Sequence, residues 1–199
     1  VTAKRYDRKY FDRWYRGSTR VHSEAEVRRK VTMAVGVSEY FLRRTLRSVL
    51  DVGCGEGAWF THLAVLRPKV TYLGFDPSDY AVQRFGRERN IRKAAFGELG
   101  SVRLTRTYDL VVCSDAMHYM NDDEIERGLP HLVAASNGLL FIEVLTKEDD
   151  IVGDLEGMIQ RPAAWYRKRL DALGALQAGP YTWLAPSLRG RAAALESVL

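Results

Sequence analysis

The segment Leu50-Asp51-Val52-Gly53-Cys54-Gly55-Glu56-Gly57-Ala58 constrains the fold more than any other part of the chain. Three glycines follow a short apolar run, Ser48 to Val52, and precede a stretch with the composition of a helix. The run reads as a buried strand. Glycines at such a junction let the backbone turn tightly and let a ligand approach with no Cβ in the way. Asp76 ends the next apolar run, 19 residues after Gly57. A carboxylate there can accept hydrogen bonds from both hydroxyls of a ribose, and ligands of open α/β sheets sit at the C-terminal ends of the strands.

Spacing alone leaves two ligands open. Gly53, Gly55 and Ala58 satisfy the Gly-x-Gly-x-x-Gly/Ala pattern of dinucleotide binders. Gly57, however, makes the spacing Gly-x-Gly-x-Gly, and Asp51 stands two residues before the first glycine. A negative charge at that place sits badly beside a pyrophosphate and well beside an ammonium. The loop therefore points to a nucleoside with a cationic tail.

The rest of the chain supplies alternating elements. Residues 3–16 read as a helix with Tyr6, Tyr10 and Trp14 four apart on one face, followed by a break at Gly17-Ser18. Residues 24–46 read as a second helix, with Ser23 as its N-cap and Val27, Val31, Val35 and Phe41 among its apolar positions. After the glycine loop come a helix over 58–66, a strand over 70–75, a helix over 78–88, and a weak strand near Ala94 to Phe96. A strong strand over 110–113, a helix over 122–136 bent or broken at Pro130, and a strand over 139–144 complete the alternation. Strands alternating with helices imply crossovers and a mostly parallel sheet. A helix over 163–173 stopped by Gly174, then a hairpin about Gly179-Pro180, suggest an antiparallel pair at the sheet's end.

A length of 199 residues fits one domain. No apolar run is long enough to span a membrane, and the basic, aromatic first 16 residues do not read as a secretion signal. Cys54 and Cys113 imply no disulfide framework, a reducing, cytoplasmic setting and, with no His or Cys at metal spacing, no metal. Residues 1–48 hold 13 Lys/Arg against 5 Asp/Glu, a surplus of 8, within a net charge of +5. That surplus either lines wet helix faces or attracts an acidic partner such as nucleic acid.

The run Val49 to Gly57 resembles the first motif of the class I S-adenosylmethionine-dependent methyltransferases. Gly-Phe-Asp-Pro-Ser at Gly74 to Ser78 resembles their acidic second motif, and Tyr-Asp-Leu-Val-Val-Cys-Ser-Asp-Ala-Met-His-Tyr at Tyr108 to Tyr119 their fourth-strand motif. The likeness covers most of residues 49–186. It implies a Rossmann-like, mostly parallel seven-stranded sheet with helices on both faces and a C-terminal antiparallel pair. The chain then divides into an N-terminal helical lid (1–47), a cofactor-binding core (48–186) and a C-terminal helical tail (187–199). The implied cofactor is S-adenosylmethionine, with S-adenosylhomocysteine as product.

The resemblance also implies roles for single residues. Asp51 and the Gly53 backbone hold the methionine amino group, and Gly55 and Gly57 leave space for the ligand. Asp76 binds the ribose, with Phe75 or Pro77 flanking the adenine. Glu98 and Leu99 stand where the family carries a short acidic segment that touches adenine. Ser114 and Asp115 lie beside the sulfonium.

Transfer from a sulfonium releases a neutral thioether, so positioning and exclusion of water can supply most of the acceleration. A base is needed only for a hydroxyl or a protonated amine. His118, just after the fourth strand, is the candidate base, against a plain packing role. Tyr119 and Asp115 are placed to orient an acceptor, while His22, His62 and His131 have no neighbours in sequence that suggest chemistry. Tyr6, Tyr10 and Trp14 are either core or the inner face of a lid. The segment 146–166, with Trp165 and Tyr166, is either a pocket wall or an ordinary connection. Methylation of a small molecule at oxygen or nitrogen is the favoured reading. A nucleic-acid methyltransferase, a nicotinamide-dependent oxidoreductase and a non-catalytic cofactor binder are the alternatives, and the oligomeric state is left open.

Overall fold

The structure is a computed structural model that describes residues 4–17, 20–151 and 153–193. The apolar run before the glycines forms β1 (Ser48–Val52), every residue of which is buried. It pairs in parallel with β2 (Thr71–Asp76) on one side and β4 (Tyr108–Ser114) on the other. β3 (Ile91–Lys93) extends the β2 edge and β5 (Ser136–Glu143) the β4 edge, both in parallel. β7 (Thr182–Leu184) pairs antiparallel with β5, and β6 (Leu176–Gly179) antiparallel with β7. The order of the seven strands is β3-β2-β1-β4-β5-β7-β6. Strand order reverses between β1 and β4, and a crevice opens at such a point above the strand ends.

Alternation along the strands sorts the core into two layers. Val49, Tyr72, Leu110, Val112, Leu139 and Phe141 face α2 (Glu24–Leu42) and α3 (Ala58–Leu66). Leu50, Val52, Val111, Cys113, Leu140 and Ile142 face α5 (Asp122–Ala134) and α6 (Ala163–Ala172). Parallel strands need both faces covered, so their sequences are apolar at nearly every position. α4 (Asp79–Arg89) links β2 to β3. No helix among the described residues is long and apolar enough to cross a membrane.

Several boundaries differ from the sequence expectation. α1 (Arg8–Trp14) is shorter than 3–16, because the Asp7 side chain accepts from the Tyr10 N–H and caps the helix there, leaving Tyr6 outside it. α2 is capped by Ser23 as expected, yet stops at Leu42, where Arg43 turns into the left-handed region. β3 lies three residues earlier than expected. Asn90 ends α4 in a left-handed conformation and delivers Ile91 straight to the edge of β2, while Phe96–Ser101 coils into a 3-10 turn. α5 runs unbroken through Pro130, its buried face of Ile125, Leu129, Leu132 and Val133 seated on the sheet. Tertiary burial outweighs the one backbone donor that proline removes. Ser18 and the end of the expected tail helix, residues 194–199, lie outside the described residues. The tail that is described forms a 3-10 turn, Pro186–Arg191, and Ala192 is extended.

Candidate functional site

The loop between β1 and α3 runs through left-handed backbone at Gly53, Gly55 and Gly57, with φ of 73°, 54° and 79°. Two of its N–H groups, on Gly53 and Cys54, donate to the Phe75 carbonyl at 2.8 and 3.1 Å, which ties the loop to the end of β2. The Gly55 N–H donates to Asp76 Oδ2 at 2.7 Å and the Ser78 N–H to Asp76 Oδ1 at 2.9 Å. Asp76 is therefore held rigidly and lies 6% exposed beneath the loop. Burial raises its carboxyl above the usual range, against the pull of these two N–H groups.

Two cavities open at the strand ends and meet. The larger, about 1030 Å³, is bounded by Gly55, Asp76, Pro77, Ala95, Phe96 and Tyr6, among others. The smaller, about 310 Å³, is bounded by Asp51, Ser114, His22, Lys30, Trp14 and Glu56, among others. Gly53, Tyr10, Tyr15, Asp115 and Tyr119 belong to both. The paired acidic strand ends thus face different compartments, Asp76 the larger and Asp51 the smaller.

Asp51 is 2% exposed, and the Tyr72 hydroxyl donates to its Oδ2 at 2.7 Å. Burial pushes its carboxyl up to about 7. A cation brought against Asp51 offsets that burial, because an opposite charge at close range favours the ionised form.

His22, Lys30, Ser114 and Asp115, which also line the smaller cavity, belong to an ion network that sequence did not reveal. His22 Nε2 lies 3.1 Å from Asp115 Oδ2, and His22 Nδ1 3.2 Å from Glu26 Oε1. Lys30 Nζ reaches Glu143 Oε1 at 2.6 Å and Glu26 Oε1 at 3.1 Å. Ser114 Oγ donates to Glu143 Oε2 at 2.5 Å. The hydrogen bond to Asp115 raises the His22 imidazole above its ordinary value; burial lowers the Lys30 ammonium, yet Glu143 and Glu26 carry it above its own. Asp115 itself holds a left-handed conformation, φ 56°, which Asp adopts more readily than most residues with a Cβ.

Some residues expected at the site lie elsewhere. His118 is fully buried and bounds neither cavity, so the base role assigned to it has no path to an acceptor. Its Nδ1 faces the Leu145 N–H at 3.4 Å and its Nε2 stands 3.6 Å from Asp115 Oδ1, while burial lowers its pKa. Phe75 and Leu99 are core residues. Glu98 is exposed and accepts from the Ala95 N–H, so Ala95 and Phe96 face the larger cavity in its place. Gly57 does not make room for a ligand: a Cβ there would meet the Ile91 and Arg89 side chains at 3.1 and 3.3 Å. Tyr166 is buried beside Arg161, and Trp165 packs against Arg169, away from both cavities. From the same region Asp154 reaches the smaller cavity and Glu156, Gly157 and Ile159 the larger.

A family model described as a methyltransferase domain matches residues 24–186. This chain belongs to that family. It is 33% identical over 97 residues to "Probable methyltransferase PMT2" of Arabidopsis thaliana, a match that takes in 42% of this chain and 15% of that protein. Among solved structures, an O-methyltransferase family protein from Burkholderia thailandensis superposes with a TM-score of 0.54 at 20% identity, over 81% of this chain and 56% of that one. The magnesium protoporphyrin IX methyltransferase of Synechocystis PCC 6803, solved with bound S-adenosylhomocysteine, gives 0.58 at 19% identity, over 90% and 93%. The chain thus spans about half of the first of these structures and less than a sixth of the curated relative.

In this methyltransferase domain α1 precedes the family match and covers the site. Tyr6 borders the larger cavity, Trp14 the smaller and Tyr10 both. The strap is tied down at three places. Arg16 holds both oxygens of Glu56, at 2.7 and 2.9 Å, Ser78 Oγ donates to the Tyr6 carbonyl at 2.5 Å, and Lys4 pairs with Asp154. Tyr15 and Phe11 lie across the glycine loop, where a Cβ on Gly55 would stand 2.8 Å from the Tyr15 hydroxyl.

Proposed function

We propose that this methyltransferase domain binds S-adenosylmethionine across the two cavities and methylates an oxygen or nitrogen of a small-molecule acceptor in the smaller one. The observation that carries the reading is the placement of two buried carboxylates, Asp51 and Asp76, in adjoining compartments on either side of the glycine loop. Asp76 suits a ribose, with Pro77 and Phe96 as walls for the base. Asp51 suits the amino group of the methionine moiety. A pyrophosphate beside the buried Asp51 would be repelled, which argues against a nicotinamide dinucleotide.

When bound, the cofactor supplies a methyl on a sulfonium whose leaving group is a neutral thioether. The chain's residues then have three tasks. Tyr10, Tyr15 and the rest of the strap exclude water from the junction of the cavities. Asp115 and Ser114, fixed by His22 and Glu143, orient the acceptor. Where the acceptor is a hydroxyl or an ammonium, the His22–Asp115 pair is the one placed to take its proton. The volume of the smaller cavity, about 310 Å³, favours a small molecule. So does the pairing of Lys4, Arg16, Lys30 and Arg44 with carboxylates of the core, which leaves less of the N-terminal basic surplus for a nucleic acid. The free, buried Cys54 and Cys113 fit a reducing, cytoplasmic setting.

Calorimetric titration with S-adenosylhomocysteine and, in parallel, NADH tests the cofactor, followed by labelled methyl transfer to a panel of small hydroxyl and amine compounds. Saturable binding of S-adenosylhomocysteine alone is expected. No binding, or a preference for NADH, overturns the reading.

A further inference from the structure

The two cavities share a wall that already holds an ammonium. Lys4 Nζ sits 3.5 Å from the centroid of the Tyr119 ring, with the Tyr10 and Tyr6 centroids at 5.3 and 5.7 Å. It pairs with Asp154 and donates to the Glu156 carbonyl at 2.9 Å. Asp154 is buried, and its position is set by its neighbours: the Tyr119 hydroxyl donates to its carbonyl at 2.8 Å, and the Glu156 N–H to its Oδ1 at 3.2 Å. Three aromatic rings, a buried carboxylate and a carbonyl oxygen converge on one charge, which is the arrangement that recognises alkylammonium groups.

The cation in this cage comes from the segment ahead of α1, held there by side-chain and carbonyl contacts. Lys4 precedes α1 and, like Asp154 and Glu156 after β5, belongs to no helix or strand, while Tyr119 ends the 3-10 turn Met117–Tyr119 after β4. If Lys4 left alone, Asp154 would remain as a buried carboxylate without its charge partner, a costly state. A neutral molecule entering here leaves that cost standing. A second cation removes it. The cage is therefore suited to an ammonium and not to a neutral group.

We propose that Lys4 is a built-in occupant of an ammonium subsite, and that the acceptor of this domain carries an amine that displaces Lys4 between Tyr119 and Asp154. The proposal rests on the methyl-transfer reading, since Tyr10 and Tyr119 belong to both cavities and place the cage at their junction. It narrows the acceptor class from any small hydroxyl or amine compound to amine-bearing ones, and it makes the N-terminal strap a competitor of the acceptor.

The test uses Lys4→Ala, which removes three methylenes and the ammonium, and n-butylammonium, the equivalent of the whole lysine side chain as a free molecule. Calorimetry is done with saturating S-adenosylhomocysteine, and n-butanol serves as the neutral control. Lys4→Ala is expected to bind n-butylammonium about tenfold more tightly than the parent, in which Lys4 competes, and to prefer it to n-butanol by a similar factor. Adding Asp154→Asn or Tyr119→Leu to Lys4→Ala is expected to abolish the preference. Equal binding of n-butanol overturns the proposal, and so does competition between n-butylammonium and S-adenosylhomocysteine, which would assign the cage to the cofactor. Lys4→Ser is the second variant, with the same expectations. If the parent fails to bind S-adenosylhomocysteine, the methyl-transfer reading falls, while n-butylammonium titrated into Lys4→Ala without it still decides the cation subsite.

Discussion

Asp51 couples cofactor binding to pH, and the size of the coupling follows from its burial. Its carboxyl is pushed up to about 7. An ammonium ligand needs the ionised form, which for a pKa of about 7 is about 3% populated at pH 5.5 and about half at pH 7. The affinity for S-adenosylhomocysteine should therefore rise about fifteenfold between those two values. Folding shows the opposite trend. The folded protein holds the Asp51 proton more tightly than the unfolded chain does, so the ligand-free protein carries no Asp51 penalty near pH 4 and loses stability as pH rises to 7. The gap between 3.8 and about 7 sets that loss at roughly 4 kcal/mol at most. Asp51→Asn should bind S-adenosylhomocysteine more weakly, with a flat pH profile, and should lack the stability loss. The assays are calorimetry at pH 5.5 and 7 and urea unfolding of the ligand-free proteins from about pH 4 to 7. An affinity that is flat with pH in the parent would refute the assignment of Asp51 to a cationic group.

Asp76→Ala should weaken S-adenosylhomocysteine binding by about 1–3 kcal/mol, the scale of a lost charge-assisted hydrogen bond; affinity equal to the parent's in calorimetry would remove Asp76 from the ribose. Arg16→Ala cuts the clamp between the strap and Glu56, a part-exposed pair worth up to about 1 kcal/mol, and should speed release of S-adenosylhomocysteine about fivefold in stopped flow. An unchanged release rate would mean that the strap does not gate the site. Gly128→Ala puts a Cβ 2.3 Å from the Phe96 ring and 2.4 Å from its carbonyl oxygen. The protein should lose about 1–3 kcal/mol in urea unfolding despite alanine's better helix propensity, because backbone cannot yield as a flexible side chain does. A variant as stable as the parent would show that α5 and the Phe96 turn are not packed this closely.

Local chemistry made much of the fold legible. The strand Ser48–Val52 and the helix Ala58–Leu66 could be read to the residue because glycines separate them sharply. Ser23 announced α2 by supplying a cap, and the Gly179-Pro180 hairpin was visible as a turn. Errors arose where two neighbouring signals competed. Asp7 started α1 later than its aromatic spacing suggested, and Asn90 delivered β3 earlier than the small apolar cluster at Ala94 to Phe96 implied. The site divided along the same line. Asp51, Asp76 and the glycines announce themselves by their position at strand ends, and the structure places Asp51, Gly53, Gly55 and Asp76 at the cavities. His118 drew attention because it follows β4, yet its side chain turns into the protein; His22, 93 residues from Asp115, had nothing beside it in sequence to mark it.

The sequence by itself therefore determined the strand–loop–helix frame, the strand–helix alternation that implies a parallel sheet and the acidic strand ends, because each is marked by residues close together in the chain. Only the tertiary structure decided which side chains face the space above the sheet. The strap, the Lys4 cage and the His22–Asp115 pair join segments far apart in the chain, and direction in space is set by packing, which local residue order does not encode.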